Sequence, residues 1–167
     1  MRRLDFLKKL KREGRLELVE PSEDVKASYL NKAADCLKSA KILFENRLYE
    51  NATSEAYYCA YNSLLALLFK VGIKSESHSA SIIVFDELFG LKELVSIITF
   101  AKEERIDKQY YVVSAQAIKA TEESCQNMIS KAEEFSVKIR SLMNSLNSDD
   151  VKAAREKFIL LTSDKGS

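Results

Sequence analysis

Arg105 is followed, after four intervening residues, by Tyr110 and then Tyr111, and the one histidine of the sequence, His78, stands in a polar turn with Ser75, Ser77 and Ser79. These residue types suit a phosphate ester. A guanidinium offers a planar fork of donors to phosphate oxygens, and an imidazole that titrates near neutrality can take a proton from an attacking hydroxyl. A phenol with a pKa of about 10 is ionised to only about one part in a thousand at pH 7, so it is a poor general base. It can still hydrogen-bond a phosphate or stack on a nucleobase. Each candidate also has a structural alternative. His78 can order its turn or cap the helix that follows, and Arg105 can be one more solvated charge after Lys102, Glu103 and Glu104.

Other chemistries find no support. Cys36, Cys59 and Cys125 lie far apart, each on an apolar helical stripe, and read as reduced core residues. With one histidine and no two neighbouring cysteines there is no metal-ligand spacing, no glycine loop cradles a phosphate, and no cofactor is expected. The 26 basic and 25 acidic residues almost cancel, so global charge points to no polyanion. Charge is instead local. Residues 1–15 hold Arg2, Arg3, Lys8, Lys9, Lys11, Arg12 and Arg15 against Asp5 and Glu13, with Leu4, Leu7 and Leu10 at helical spacing. Such an arm either touches phosphate or a partner protein, or is a first helix docking its leucines on a bundle. No apolar run has the length of a signal-peptide core or a membrane span, so a soluble, cytoplasmic protein is expected.

The elements that must carry these residues read as helices. The segment from Glu23 to Arg47, capped by Ser22, has a seam through Tyr29, Ala33, Cys36, Ala40 and Leu43. From Tyr49 to Val71 runs a helix apolar on nearly every side in its second half, the mark of a central core helix. Ala52, Ala56 and Ala60 give it one narrow face, and Tyr57, Tyr58 and Tyr61 read as core filler whose hydroxyls find partners. Beyond Gly72, a short helix passes through Ile82, Ile83, Phe85 and Leu88; Gly90 breaks it, and Leu91 to Glu104 forms another. Residues 105–113 read as loop or helix end. From Ser114 a seam of Ile118, Thr121, Cys125, Met128, Ala132, Phe135, Ile139, Leu142 and Leu146 predicts a long helix interrupted in character only by Thr121. Asn147 to Asp150 looks like a cap for a last helix ending near Leu161. No segment shows strand alternation. The expected fold is all-α, an up-and-down bundle of four or five helices with short extra helices at both ends. Residues 1–20 form the basic arm, 21–146 the bundle, and 147–167 a C-terminal helix and tail.

The run Leu48-Tyr49-Glu50-Asn51-Ala52, then Ala56-Tyr57-Tyr58, Gly72-Ile73-Lys74 and Ser77-His78-Ser79, resembles the HEPN domain family (higher eukaryotes and prokaryotes nucleotide-binding). The likeness extends through Glu103 to Tyr111 and into the helix from Ala117 to Leu142, covering about residues 25–143. It implies a bundle that forms a homodimer with a cleft between protomers. It also implies a toxin–antitoxin setting, with a small nucleotidyltransferase as partner and RNA or nucleotide as ligand. Many members are metal-independent ribonucleases whose signature is an arginine, four to six residues, then a histidine. Here Arg105 matches and Tyr110 stands where the histidine would be. The catalytic pair carried over is thus Arg105 and Tyr110, and the RNA- or nucleotide-binding set Arg105, Tyr110, Tyr111 and His78. Tyr110 or Tyr111 is also a candidate target of nucleotide transfer. His78 is the candidate substitute base. The competing expectation is a non-catalytic adaptor that holds a partner protein on its helical faces.

Overall fold

The computed structural model describes residues 2–110 and 119–163, without the side chains of residues 107–110. Helix α1 (Arg3–Arg12) leads into strand β1 (Leu16–Leu18); α2 (Glu23–Glu45) and α3 (Tyr49–Lys70) follow; β2 (Ile73–Ser75) precedes α4 (His78–Phe89), α5 (Lys92–Tyr110), α6 (Glu122–Ser145) and α7 (Ser148–Thr162). The fold is all-α, as the periodicities predict. Helix α3 is its axis, packed on α2, α5 and α6. Ala52, Ala56 and Ala60 are fully buried along it, because a small-residue face lets neighbouring backbones approach closely. Deeper in, the Ser63 hydroxyl donates to the backbone of Cys59 and contacts the Ser136 hydroxyl at 2.9 Å, which ties α3 to α6 through a satisfied buried pair.

Three local features differ from the sequence reading, each for a physical reason. First, a two-stranded antiparallel ribbon exists, pairing Leu16 with Ser75 and Leu18 with Ile73. Three-residue strands are too short to show a period of two. Gly72, at φ +73°, turns α3 into this ribbon. One Arg155 nitrogen from α7 donates to the carbonyls of Val19, Val71 and Gly72 at 2.7–3.1 Å, closing the ribbon from outside. Second, α6 begins at Glu122 because Thr121 is its cap: the Thr121 hydroxyl accepts from the Ser124 backbone while the Ser124 hydroxyl accepts from Thr121. The polar residue in the apolar seam was the start signal. Ile118 and the rest of the expected first turn lie outside the described residues. Third, α5 continues past Glu104 to Tyr110, so Arg105 sits within a helix.

The basic first helix docks. Leu7 and Leu10 are buried while Leu4 stays partly exposed. Arg3 donates to Asp86 of α4 at 2.8 Å, and Lys92 reaches the other carboxylate oxygen of Asp86 at 2.5 Å. Helix α7 packs on α1 and α4, with Phe158 fully buried. All three cysteines are free thiols; burial pushes Cys59 up to about 12 and, with Glu55 beside it, Cys36 up to about 11. Among the described residues no helix is long and apolar enough to cross a membrane.

Candidate functional site

Three helices bring the site together. Helix α4 starts sharply because the Ser77 side chain accepts from the Ala80 backbone amide, and Ser81 donates back to the Ser77 carbonyl at 3.0 Å. The cap is thus Ser77, and His78 is left free of the capping task the sequence offered it. His78, first residue of the helix, turns onto the tyrosines of α3. Its Nδ1 is 2.6 Å from the Tyr57 hydroxyl, and its ring stacks on Tyr61 with centroids 3.9 Å apart and planes inclined by 24°. Tyr61 in turn contacts the Ser81 hydroxyl at 3.2 Å. Both tyrosines are buried, so the core-filler reading of their rings holds. Their hydroxyls nevertheless aim at the start of α4.

Helix α5 supplies the charge. The Arg105 guanidinium lies over the rings of Tyr57 and Tyr58, 5.4 and 5.1 Å from their centroids, at cation–π distance. One turn earlier, Lys102 donates to the Ser79 hydroxyl at 2.6 Å. Burial, then Arg105, then Lys102 hold the His78 imidazole below its ordinary value. The ring is therefore neutral near pH 7, in the state a general base needs. Burial also pushes the Tyr57 phenol up, so it stays protonated and serves as a hydrogen-bonding group. With Nδ1 engaged by Tyr57, Nε2 is the ring nitrogen left for a substrate.

The structure thus brings His78 and Arg105, 27 positions apart in sequence, onto one tyrosine cluster. Tyr110 is the last described residue of α5, described in its backbone only, and Tyr111 lies outside the described residues. Tyr57 and Lys102 were not among the residues singled out for chemistry. Lys102 had a readable signal, since it precedes Arg105 by three residues and so shares its helix face. Nothing in sequence spacing pairs Tyr57 with His78.

A bundle of helices packed around α3 is an all-α class of fold. The chain belongs to the HEPN domain family, whose model matches residues 27–142. It is similar to "Putative toxin MJ0605" of Methanocaldococcus jannaschii, with 31% identity over 125 residues, 68% of this chain and 85% of that protein. A UPF0332 protein of Thermotoga maritima is 28% identical over 120 residues, 69% of this chain and 88% of that protein. Helices α1 and α7 fall outside the family match, which spans α3, α4 and α5 and all but the first turn of α2 and the last residues of α6.

Proposed function

We propose that this HEPN protein binds RNA through the Arg105–His78 site and acts within a toxin–antitoxin type of pair, with metal-independent cleavage of the bound strand as its activity. The observation that carries this reading is the Arg105 guanidinium laid over Tyr57 and Tyr58 beside a neutral imidazole that Tyr57 orients. In the proposed reaction Arg105 holds the non-bridging oxygens of the phosphate. With Nδ1–H donating to the Tyr57 oxygen, His78 Nε2 takes the proton of the ribose 2′-hydroxyl, and the 2′-oxygen attacks phosphorus. The bond to the 5′-oxygen breaks, leaving a 2′,3′-cyclic phosphate and a 5′-hydroxyl that collects its proton from water. The resemblance to a protein named as a toxin supports the setting. A homodimer and a small nucleotidyltransferase partner belong to the same proposal, with Tyr110 and Tyr111 as acceptors of the transferred nucleotide.

An RNA cleavage time course in EDTA tests it with wild type, Arg105→Ala and His78→Ala. Cleavage abolished by either substitution is the expected result. Binding that is lost in Arg105→Ala with no cleavage by any protein removes the nuclease and leaves an RNA-binding or partner-regulated HEPN domain. Equal RNA affinity in wild type and Arg105→Ala overturns the site.

A further inference from the structure

The basic first helix lies outside the family match, and its placement joins it to the site. Antiparallel pairing sets Leu16 of β1 opposite Ser75 of β2, and the Glu76 amide donates to the Arg15 carbonyl at 2.9 Å. The Arg15 backbone is thereby fixed opposite Glu76, two residues before His78. At its other end α1 is fastened to the last turns of α4, where Arg3 meets Asp86 and, at 3.8 Å, Glu87. So α1 runs alongside α4 in the opposite direction and finishes next to the turn that carries His78. Its buried face is set by Leu7 and Leu10. Lys8, Lys11 and Arg12, related by steps of three and four, form a stripe that flanks the buried face, Lys11 and Arg12 exposed and Lys8 half-buried. Arg15 follows the Gly14 turn, exposed, with its guanidinium 3.6 Å from the Glu13 carboxylate. From Lys8 to Arg12 the stripe covers about 6 Å of helix at 1.5 Å per residue, with Arg15 just beyond the helix end.

We infer that the Lys8, Lys11, Arg12 and Arg15 stripe is a phosphate track that continues the Arg105–His78 site, so that the protein takes an RNA strand rather than a mononucleotide or short end. The inference rests on the RNA-binding reading of that site and names its substrate class. A single-stranded polyanion fits because the stripe is positive and the chain that carries it is joined, through the Glu76–Arg15 backbone bond, to the turn two residues before His78. An acidic protein or an anionic membrane would satisfy the charge but has no reason to need the adjoining imidazole and guanidinium.

The test compares two probes on the full chain: a fluorescent single-stranded RNA of about 12 nucleotides and the dinucleotide UpU. Wild type, the triple variant Lys8→Gln/Lys11→Gln/Arg12→Gln, and Arg105→Ala are titrated over a salt series. The triple variant is expected to bind the longer RNA at least about tenfold more weakly at low salt, with the slope of log affinity against log salt reduced by about 2, and to bind UpU as wild type does. Wild-type affinity and slope for the longer RNA in the triple variant overturn the track. Arg105→Ala is expected to weaken both probes. If it weakens neither, the site reading itself fails; if the stripe then still binds RNA, its continuity with the site is overturned as well. The single charge reversal Lys11→Glu, on an exposed position, repeats the test should the triple variant fold poorly.

Discussion

The two ends of helix α4 both gather positive charge, and they use it in opposite ways. At the C-terminal end Arg3 and Lys92 close on the buried carboxylate of Asp86, and their hydrogen bonds hold that carboxyl below the usual range. Opposite charges meet, and the result is a staple that ties α1 and α5 to α4. At the N-terminal end burial first, and then the positive charges of Arg105 and Lys102, depress the His78 imidazole. An anion arriving there relieves the repulsion and raises the imidazole's proton affinity. One end closes its cations on a buried carboxylate; the other sets them beside an imidazole, and the proposed binding site rests on that difference rather than on a count of charges.

Several substitutions break or sharpen that contrast. The largest effect is expected from Gly72→Val, which attacks the ribbon behind the N-terminal end. At φ +73° a Cβ would stand 2.4 Å from the Val19 carbonyl oxygen and 2.0 Å from the Arg155 guanidinium. A loss of about 3 kcal/mol or more in urea unfolding is expected, and stability within about 0.5 kcal/mol of wild type would contradict the clasp. Arg105→Ala comes next, with RNA affinity reduced about 10- to 100-fold, the range of one charge-assisted phosphate contact, and with unfolding little changed. Asp86→Asn inverts that pattern. It is expected to cost about 1–2 kcal/mol of stability, modest because Arg3 and Lys92 remain largely solvated, while RNA affinity stays as in wild type. Affinity loss in Asp86→Asn equal to that in Arg105→Ala would erase the distinction between the two ends.

The smallest effects are in pH dependence. His78 and Asp86 both have folded values below their unfolded ones, so the unfolded chain binds the extra protons and stability falls with acid in both cases. The His78 contribution is present above pH about 6.5 and declines as pH falls below it; that of Asp86 is present above about 4 and is lost as pH falls through its depressed folded value. Unfolding midpoints measured from pH 7 down to about 2 separate them: His78→Gln should remove the part of the fall that begins below about 6.5, and Asp86→Asn the part that begins below about 4.

The same contrast explains what could be read from sequence. Helix α2 was legible with its cap because the Ser22 side chain accepts from the Val25 amide and Glu23 and Asp24 follow it, local features written in adjacent residues. The central position of α3 was legible from apolar residues all round it. Thr121 was visible as an interruption, yet its meaning as a cap required seeing Ser124 bond back to it. The ribbon was not legible, since its partners are more than fifty residues apart and three residues long. For the site, Arg105 and His78 could be named by residue type and by resemblance. Their meeting on Tyr57 depends on how α3, α4 and α5 cross, and α5 hid its extension past Glu104 behind mixed charges and tyrosines.

Because the sequence contains one histidine, the central claim can be read from a single signal. Titrating the His78 ring by NMR, in the free protein and with the single-stranded RNA bound, measures directly whether its surroundings await an anion. The account predicts a pKa below about 6.5 in the free protein that rises when RNA binds and also rises in Arg105→Ala. A pKa at or above about 6.5 in the free protein, unmoved by RNA and by the loss of Arg105, would contradict it.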